Sequence, residues 1–230
     1  MAIKKSIFII ALLITLSLLT VILIFGNFLN NDRKSSIDEQ MQAINQLNEL
    51  QTYSLMNEVY GGKMACVAFK MQLKEWDKTL WDLGQKIESY RLATEEFQKD
   101  QFYLDMKQKF NENEVLYLTF LTKVKKECNI SMDIVSYFYQ NSEECKQCDD
   151  QSFVLTNIKQ KYGDSVAIFS FDTDINVTNV DILRQYYEID KYPCVVINEK
   201  KYCGMQDNDF IVNKLCTLNG GCYEENSTRT

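Results

Sequence analysis

The segment Cys145-Lys146-Gln147-Cys148 is a C-x-x-C motif at the start of a stretch typical of a helix. Residues i and i+3 in the first turn of a helix lie on one face, close enough to form a disulfide. The free N–H groups and the dipole at that end also stabilise a thiolate, which is the nucleophile in thiol–disulfide exchange. The same spacing is half of a zinc knuckle. The motif therefore indicates either redox chemistry or metal binding.

The overall composition limits the kinds of catalytic and binding site that the chain can form. The chain of 230 residues has no histidine and a formal net charge of −7. Histidine-based triads and histidine-ligated zinc are therefore excluded, and the acidic balance argues against nucleic acid as a partner. Any catalysis has to come from the eight cysteines, the carboxylates or the lysines.

Four further cysteines are candidates for structural disulfides. Cys66 and Cys128 lie on the apolar faces of two predicted helices, where they either join the helices or stay buried as free thiols. Cys216 and Cys222 flank the segment TLNGG and would close a short loop. An exported domain can hold such pairs as disulfides.

Cys194 and Cys203 lie on the two strands of a predicted hairpin. A turn at Asn198-Glu199 sets them directly opposite each other, and such cysteines can be bridged at a non-hydrogen-bonded pair. A structural disulfide is the favoured interpretation. The alternatives are a second redox pair, a four-cysteine metal site shared with Cys145 and Cys148, or unpaired thiols. No metal ligand is assigned.

The N-terminal segment is almost wholly apolar, with no charged side chain from Ser6 to Asn31. The 21 residues of SIFIIALLITLSLLTVILIFG would form a helix of about 30 Å, enough to cross a bilayer core. A cleaved signal peptide would have a shorter apolar region, of about 7–15 residues, and a small-x-small cleavage site. We therefore expect an uncleaved anchor over residues 1–31, with the transmembrane helix at about 6–26.

Basic residues precede this anchor. Lys4 and Lys5 lie on its N-terminal side, while Asp32 partly offsets Arg33 and Lys34 behind it. The positive-inside rule therefore predicts a single-pass protein with a cytoplasmic N-terminus and the remaining chain outside the cytoplasm.

Residues 36–128 are predicted to be helical. Ser36 and Glu39 have the spacing of a capping box, which predicts a helix start near Ile37. Apolar residues then recur at steps of three and four, as in a helix–helix seam: Cys66, Phe69, Leu73, Trp76, Leu80, Leu83, Ile87 and Tyr90.

The helical region is expected to form a hairpin or a small bundle. Gly84 marks a bend or turn, and a further helix is predicted to begin after Asn111 or Asn113, with Tyr117, Leu121, Val124 and Cys128 in line. The aromatic seam is interpreted chiefly as internal helix packing. A docking surface for a partner helix, including self-association of this chain, is the alternative.

Residues 132–222 have a different pattern, in the order β-α-β-α-β-β-α. Strands are predicted at Asp133–Gln140 and Val166–Asp172, followed by a helix around Val180–Glu188 and by the hairpin. A last helix covers about Asp207–Leu218. Residues 223–230 are a polar tail.

Three segments in this order resemble the thioredoxin superfamily. They are ECKQC, VAIFSFDTD and YEIDKYPCVVIN, and the last of them contains Pro193, the only proline in the chain. Members of that family place a C-x-x-C at the start of the first helix and a cis-proline before the third strand. The resemblance covers roughly residues 132–216, and from Pro193 to Gly204 the spacing is closer to glutaredoxins.

The resemblance implies both a fold and an activity. The fold would be α/β, with a central mixed sheet of about four strands flanked by helices and preceded by the anchor and the helical region. Cys145 would attack a disulfide of a protein substrate and Cys148 would resolve the mixed disulfide. Tyr192 and Pro193, joined by a cis bond, would face the motif and present backbone to the substrate. The redox-active disulfide would need no other cofactor.

Two departures from the family pattern affect the activity. Lys-Gln stands between the cysteines instead of the Gly-Pro of thioredoxins or the Pro-Tyr of glutaredoxins. Carboxylates at Glu143, Glu144, Asp149 and Asp150 outnumber Lys146 around the motif. Nearby carboxylates disfavour a thiolate, so we expect a reductant or isomerase-like potential rather than that of a strong oxidase. A binding module without turnover is the competing interpretation.

Overall fold

The computed structural model describes residues 5–44, 59, 62–94, 96–141 and 144–218. The predictions that involve Lys4, Glu143, the NGG of the segment TLNGG, Cys222 and the polar tail fall outside these residues, as does the side chain of Cys216. The elements are α1 (Lys5–Ile44), α2 (Gly62–Ala93), a 3₁₀ turn (Phe97–Lys99), α3 (Gln101–Cys128), β1 (Asp133–Tyr139), α4 (Cys148–Tyr162), a second 3₁₀ turn (Gly163–Ser165), β2 (Val166–Asp172), α5 (Thr178–Tyr186), β3 (Cys194–Ile197), β4 (Lys200–Cys203) and α6 (Asn208–Leu218).

Helix α1 has two distinct parts. Its apolar side chains between Ile9 and Leu29 are exposed, and by length and composition this part is a candidate membrane span. Farther along the same helix, Ile37 and Met41 are buried in the core. The predicted helix start near Ile37 is wrong, because α1 runs without interruption through that position. The Ser36 hydroxyl accepts a hydrogen bond from Lys86 Nζ (2.9 Å), which joins α1 to α2.

Helices α2 and α3 form a hairpin whose facing sides are the predicted seam. Leu73, Leu83 and Leu121 are among its fully buried residues. A disulfide joins Cys66 at the start of α2 to Cys128 at the end of α3, with their Cα atoms 5.4 Å apart. Of the two alternatives for this pair, the structure has the disulfide.

The internal boundaries of the hairpin correct two predictions. Gly84 is neither a bend nor a turn, because α2 continues through it; a Cβ atom there would lie 3.1 Å from Phe110 Cζ, so the glycine permits close packing of α3. Helix α3 begins at Gln101, not after Asn111 or Asn113. The Asp100 carboxylate accepts a hydrogen bond from the Tyr103 backbone N–H (3.0 Å) and caps the helix.

The four strands form a mixed sheet in the order β2-β1-β3-β4. Strands β1 and β2 are parallel, whereas β1–β3 and β3–β4 are antiparallel. Asn198 and Glu199 form the β3–β4 turn with φ of 44° and 71°, as a two-residue hairpin turn requires. The predicted register is confirmed, because Cys194 pairs with Cys203. The α/β class is likewise confirmed.

The helical hairpin packs directly on the sheet and covers its β2 edge. The Glu114 carboxylate accepts a hydrogen bond from the Ser170 backbone N–H (2.9 Å), and Asn111 Nδ2 donates to the carbonyl of Asp172 (3.2 Å). Apolar residues of α1, α2, α3 and the sheet form one continuous hydrophobic cluster. The exposed polar groups of an edge strand invite pairing with other chains, so this cover protects the sheet.

Candidate active site

The C-x-x-C motif lies where β1 gives way to α4. Cys145 and Cys148 form a disulfide with Cα atoms 5.4 Å apart, and the Cys148 N–H donates to the Cys145 carbonyl (3.1 Å). Cys148 is the first residue of α4. The Tyr137 hydroxyl, from β1, donates to the Cys148 carbonyl (2.7 Å) and holds the helix start on the sheet. Burial raises the pKa of Tyr137 beyond its ordinary value, which keeps this donor protonated.

A second pair of hydrogen bonds fixes the other side of α4. Gln151 is fully buried one turn after Cys148. Its side chain accepts from the Gln206 N–H (2.7 Å) and donates to the Gln206 carbonyl (3.1 Å). Since Gln206 follows β4, these two hydrogen bonds hold the disulfide at the edge of the sheet formed by the C-terminal ends of β1 and β4, not at the lateral β2 edge.

Pro193 precedes β3 at the same edge. The Tyr192–Pro193 bond is cis, as the resemblance implied. Cys194 pairs with Phe138, close to the end of β1 from which the chain continues to Cys145. Pro193 is buried and its carbonyl accepts from the Gly204 N–H (2.7 Å), while Tyr192 packs partly against the core. The structure therefore brings both candidate substrate-binding residues to the edge that carries the motif.

Cys194 and Cys203 form a third disulfide next to Pro193, with Cα atoms 3.9 Å apart. Because the Gly204 N–H donates to the Pro193 carbonyl beside them, Cys194 and Cys203 form a non-hydrogen-bonded pair. This is the kind of pair that the predicted cross-strand disulfide required. Cys194 is fully buried. The four cysteines at this edge are thus paired as two disulfides. Within the described residues, no group of three or more His, Cys, Asp or Glu side chains is arranged to hold a metal ion.

Arg91 is a site residue that sequence reasoning missed. It lies in the last turn of α2, and its guanidinium is 3.5 Å from the carboxylate of Asp149, the residue after Cys148. It also pairs with Glu88 (2.6 Å), and this hydrogen bond raises the pKa of Arg91. Arg91 therefore offsets part of the negative charge that the sequence places around the motif. No local pattern links two residues 58 positions apart.

Behind Cys148 lies a cavity of about 110 Å³ between the hairpin and the sheet. Its lining includes Lys107 and Glu114 of α3 and Tyr139 of β1. Among the described residues, one oxygen of the buried Glu114 carboxylate finds no hydrogen-bond partner. Burial raises the pKa of Glu114 to about 8, against the opposing effects of Lys107 and of the Ser170 N–H. The wall behind the disulfide is therefore polar and titratable.

Comparison with known proteins adds little to this geometry. No protein-family model matches the chain, and no curated protein matches it. A solved structure described as "Structure of a malarial protein" is similar over 38% of this chain and 97% of its own, with 17% identity and a TM-score of 0.32. A likeness at that level carries no argument about fold or function.

Proposed function

We propose that the chain is a membrane-anchored thiol–disulfide oxidoreductase with a thioredoxin-like fold that acts on protein substrates outside the cytoplasm. The observation that carries the proposal is the Cys145–Cys148 disulfide across the start of α4, at the sheet edge where Pro193 begins β3. The strand order β2-β1-β3-β4, with only β1 and β2 parallel, supports the fold assignment. The apolar half of α1 supports the anchor.

The arrangement suits disulfide exchange by two successive displacements. In the reduced protein, the Cys145 thiolate attacks one sulfur of a substrate disulfide, and the other sulfur leaves as a thiolate that takes up a proton. Cys148 then loses its proton and attacks the Cys145 sulfur, which releases the second substrate thiol. The two electrons move from the protein dithiol to the substrate. A dithiol partner returns them by the same exchange in reverse.

The positions of the two cysteines favour the same division of roles. Both are buried, but Cys148 is the first residue of α4 and its carbonyl accepts a hydrogen bond from the Tyr137 hydroxyl, whereas Cys145 precedes the helix. The first of the two cysteines also lies where free N–H groups stabilise a thiolate. We therefore assign attack to Cys145 and resolution to Cys148.

Insulin reduction by the full chain in phosphatidylcholine proteoliposomes, with a small dithiol as the electron source, tests the proposal. We expect turnover that Cys145→Ser abolishes, and a Cys148→Ser variant that accumulates mixed disulfides. Lys126→Gln, remote from the motif, is the matched control and should keep wild-type turnover. A wild-type chain that binds protein partners without turnover would indicate a redox-inactive binding module and overturn the assignment.

A further inference from the structure

The end of the hairpin nearest the apolar part of α1 is defined by contacts with Lys34. Its ammonium lies over the rings of Tyr90 (5.8 Å) and Phe102 (4.9 Å), and the Tyr90 hydroxyl donates to Asp100 (2.9 Å). Among the α1 side chains that the structure describes, Leu29 is the last exposed large apolar one. Five residues of helix span about 7.5 Å, so the α2–α3 connection lies close to the level at which the apolar segment ends.

The disulfide centre lies at this same end. Arg91 follows Tyr90 directly, and its guanidinium contacts Asp149, which is adjacent to Cys148. On α3, Lys107 lies over the ring of Tyr139 at the end of β1 (5.4 Å). Both helices of the hairpin therefore place the end of β1 and the start of α4 toward the apolar part of α1.

The opposite end of the molecule is identified independently. The Cys66–Cys128 disulfide closes the hairpin far from α1's apolar part, and the neighbouring Lys126 pairs with Glu199 in the β3–β4 turn (3.2 Å). Asn198 of that turn also donates to Asp133 at the start of β1 (2.6 Å). A strand of seven residues spans about 23 Å, so the edge with the motif is separated from this remote end by roughly that distance.

We infer that the disulfide centre faces the membrane and that its substrates are cysteines in the juxtamembrane segments of other membrane proteins. This inference rests on the proposed function and on α1 as the anchor. The motif would lie within about 15 Å of the bilayer surface, the sum of the helix rise and the reach of the intervening side chains. The exchange itself is the one described above and needs no further reagent.

The continuity of α1 is what fixes this height. A flexible linker would let the domain sample many heights above the bilayer. Here the helix that contains the apolar segment also contains Ile37 and Met41, which are buried in the core. Because anchor and core share one uninterrupted helix, the height of the site above the bilayer cannot change without unpacking these side chains.

A ladder of membrane-inserted substrates tests the inference. Single-span peptides with a helical (EAAAK)-type extension carry one cysteine, activated with nitrothiobenzoate, at about 10, 20, 30 or 40 Å above the apolar span. They are placed in phosphatidylcholine vesicles with the full-length Cys148→Ser variant. We expect release of nitrothiobenzoate by Cys145 to be at least about tenfold faster for the lowest cysteine than for the highest, since reaction requires contact.

An inserted heptad supplies the matched control. Seven helix-favouring residues between Leu29 and Asn30 raise the core by about 10 Å and rotate it by only about 20°. This variant should react best with a cysteine placed about 10 Å higher, while its insulin turnover, measured with the Cys148 intact, stays unchanged. Equal rates at all heights, or an optimum that does not move, would overturn the inference.

A measurement that does not depend on catalysis distinguishes failure of this inference from failure of the proposed function. Energy transfer to headgroup-labelled lipid is measured from dyes at Phe153→Cys on α4 and at Glu199→Cys in the β3–β4 turn, both exposed positions. Stronger transfer from position 153 is expected. Equal or weaker transfer would refute the membrane-facing geometry even if insulin is reduced, and loss of insulin turnover alone would refute only the activity.

Discussion

Asp77 of α2 and Lys159 of α4 form a buried ion pair that joins the helical hairpin to the helix bearing Cys148. Lys159 Nζ also donates to the carbonyls of Gly163 (3.1 Å) and Val166 (2.7 Å), so one ammonium ties three segments together. Burial is the main effect on Asp77 and raises the pKa of its carboxyl, with Lys159 opposing it. Each of these two charges is therefore tolerated in the interior only while the other is present.

Removing one partner of this pair should be costly. Asp77→Leu leaves an unpaired buried ammonium, which we expect to destabilise the fold by about 3–5 kcal/mol. The double variant Asp77→Leu/Lys159→Met removes both charges and should recover much of that loss. The urea midpoint of the full chain in detergent measures both effects. A double variant less stable than the single one would contradict this explanation.

The buried Glu114 carboxyl should make stability depend on pH. Its pKa is raised to about 8 in the folded protein, against about 4.3 in the unfolded chain. The stability that this group contributes is fully present below the unfolded pKa and is lost as pH rises through the folded pKa. Glu114→Gln should therefore gain stability relative to wild type progressively as pH rises from about 4.5 to 8, up to a difference on the order of 5 kcal/mol.

Urea midpoints at pH 5 and pH 8 measure the Glu114 effect. Glutamine keeps an oxygen for the Ser170 N–H, so the substitution removes the titration and little else. The exposed Glu112, two residues earlier, provides the control: Glu112→Gln should follow the wild-type pH profile. An unchanged pH profile in Glu114→Gln would mean that the carboxyl is already ionised at pH 5.

The Cys194–Cys203 disulfide is expected to be structural. Cys194 is fully buried, and the pair bridges a hairpin whose turn and register are already defined by hydrogen bonds. Cys194→Ala/Cys203→Ala should lower stability by up to about 3 kcal/mol, as for a short closed loop, and leave insulin turnover within a few-fold of wild type. Loss of turnover without loss of stability would instead identify the pair as a second redox centre.

The segments around the motif could be predicted from sequence because their signals are local. Richness in β-branched and aromatic residues located β1 and β2, and the Asn198-Glu199 turn defined which residue opposes Cys194. The helical seam was also predicted, because apolar periodicity reports which face of a helix is buried. Each of these signals is either a short segment or a pattern that repeats within about ten residues of chain.

The features that failed or were missed depend on tertiary contacts. Ser36 matched a helix start, yet its hydroxyl contacts Lys86 on another helix. Gly84 suggested a bend, yet it accommodates the ring of Phe110. Arg91 gave no sign of its position beside the motif, because only the packing of α2 on the sheet brings it to Asp149.

The Arg91–Asp149 contact gives the last prediction, which concerns the reactivity of the motif. The Arg91 side chain is 16% exposed and that of Asp149 is 62% exposed, so the pair is partly screened by solvent. In Arg91→Gln the Asp149 carboxylate is no longer offset and disfavours a thiolate nearby. Alkylation of the reduced motif by iodoacetamide at neutral pH should slow by at most about fivefold, equivalent to about 1 kcal/mol. Arg91→Gln/Asp149→Asn should restore the rate, and Lys126→Gln should not change it. A double variant as slow as the single one would show that Arg91 acts through packing rather than through its charge.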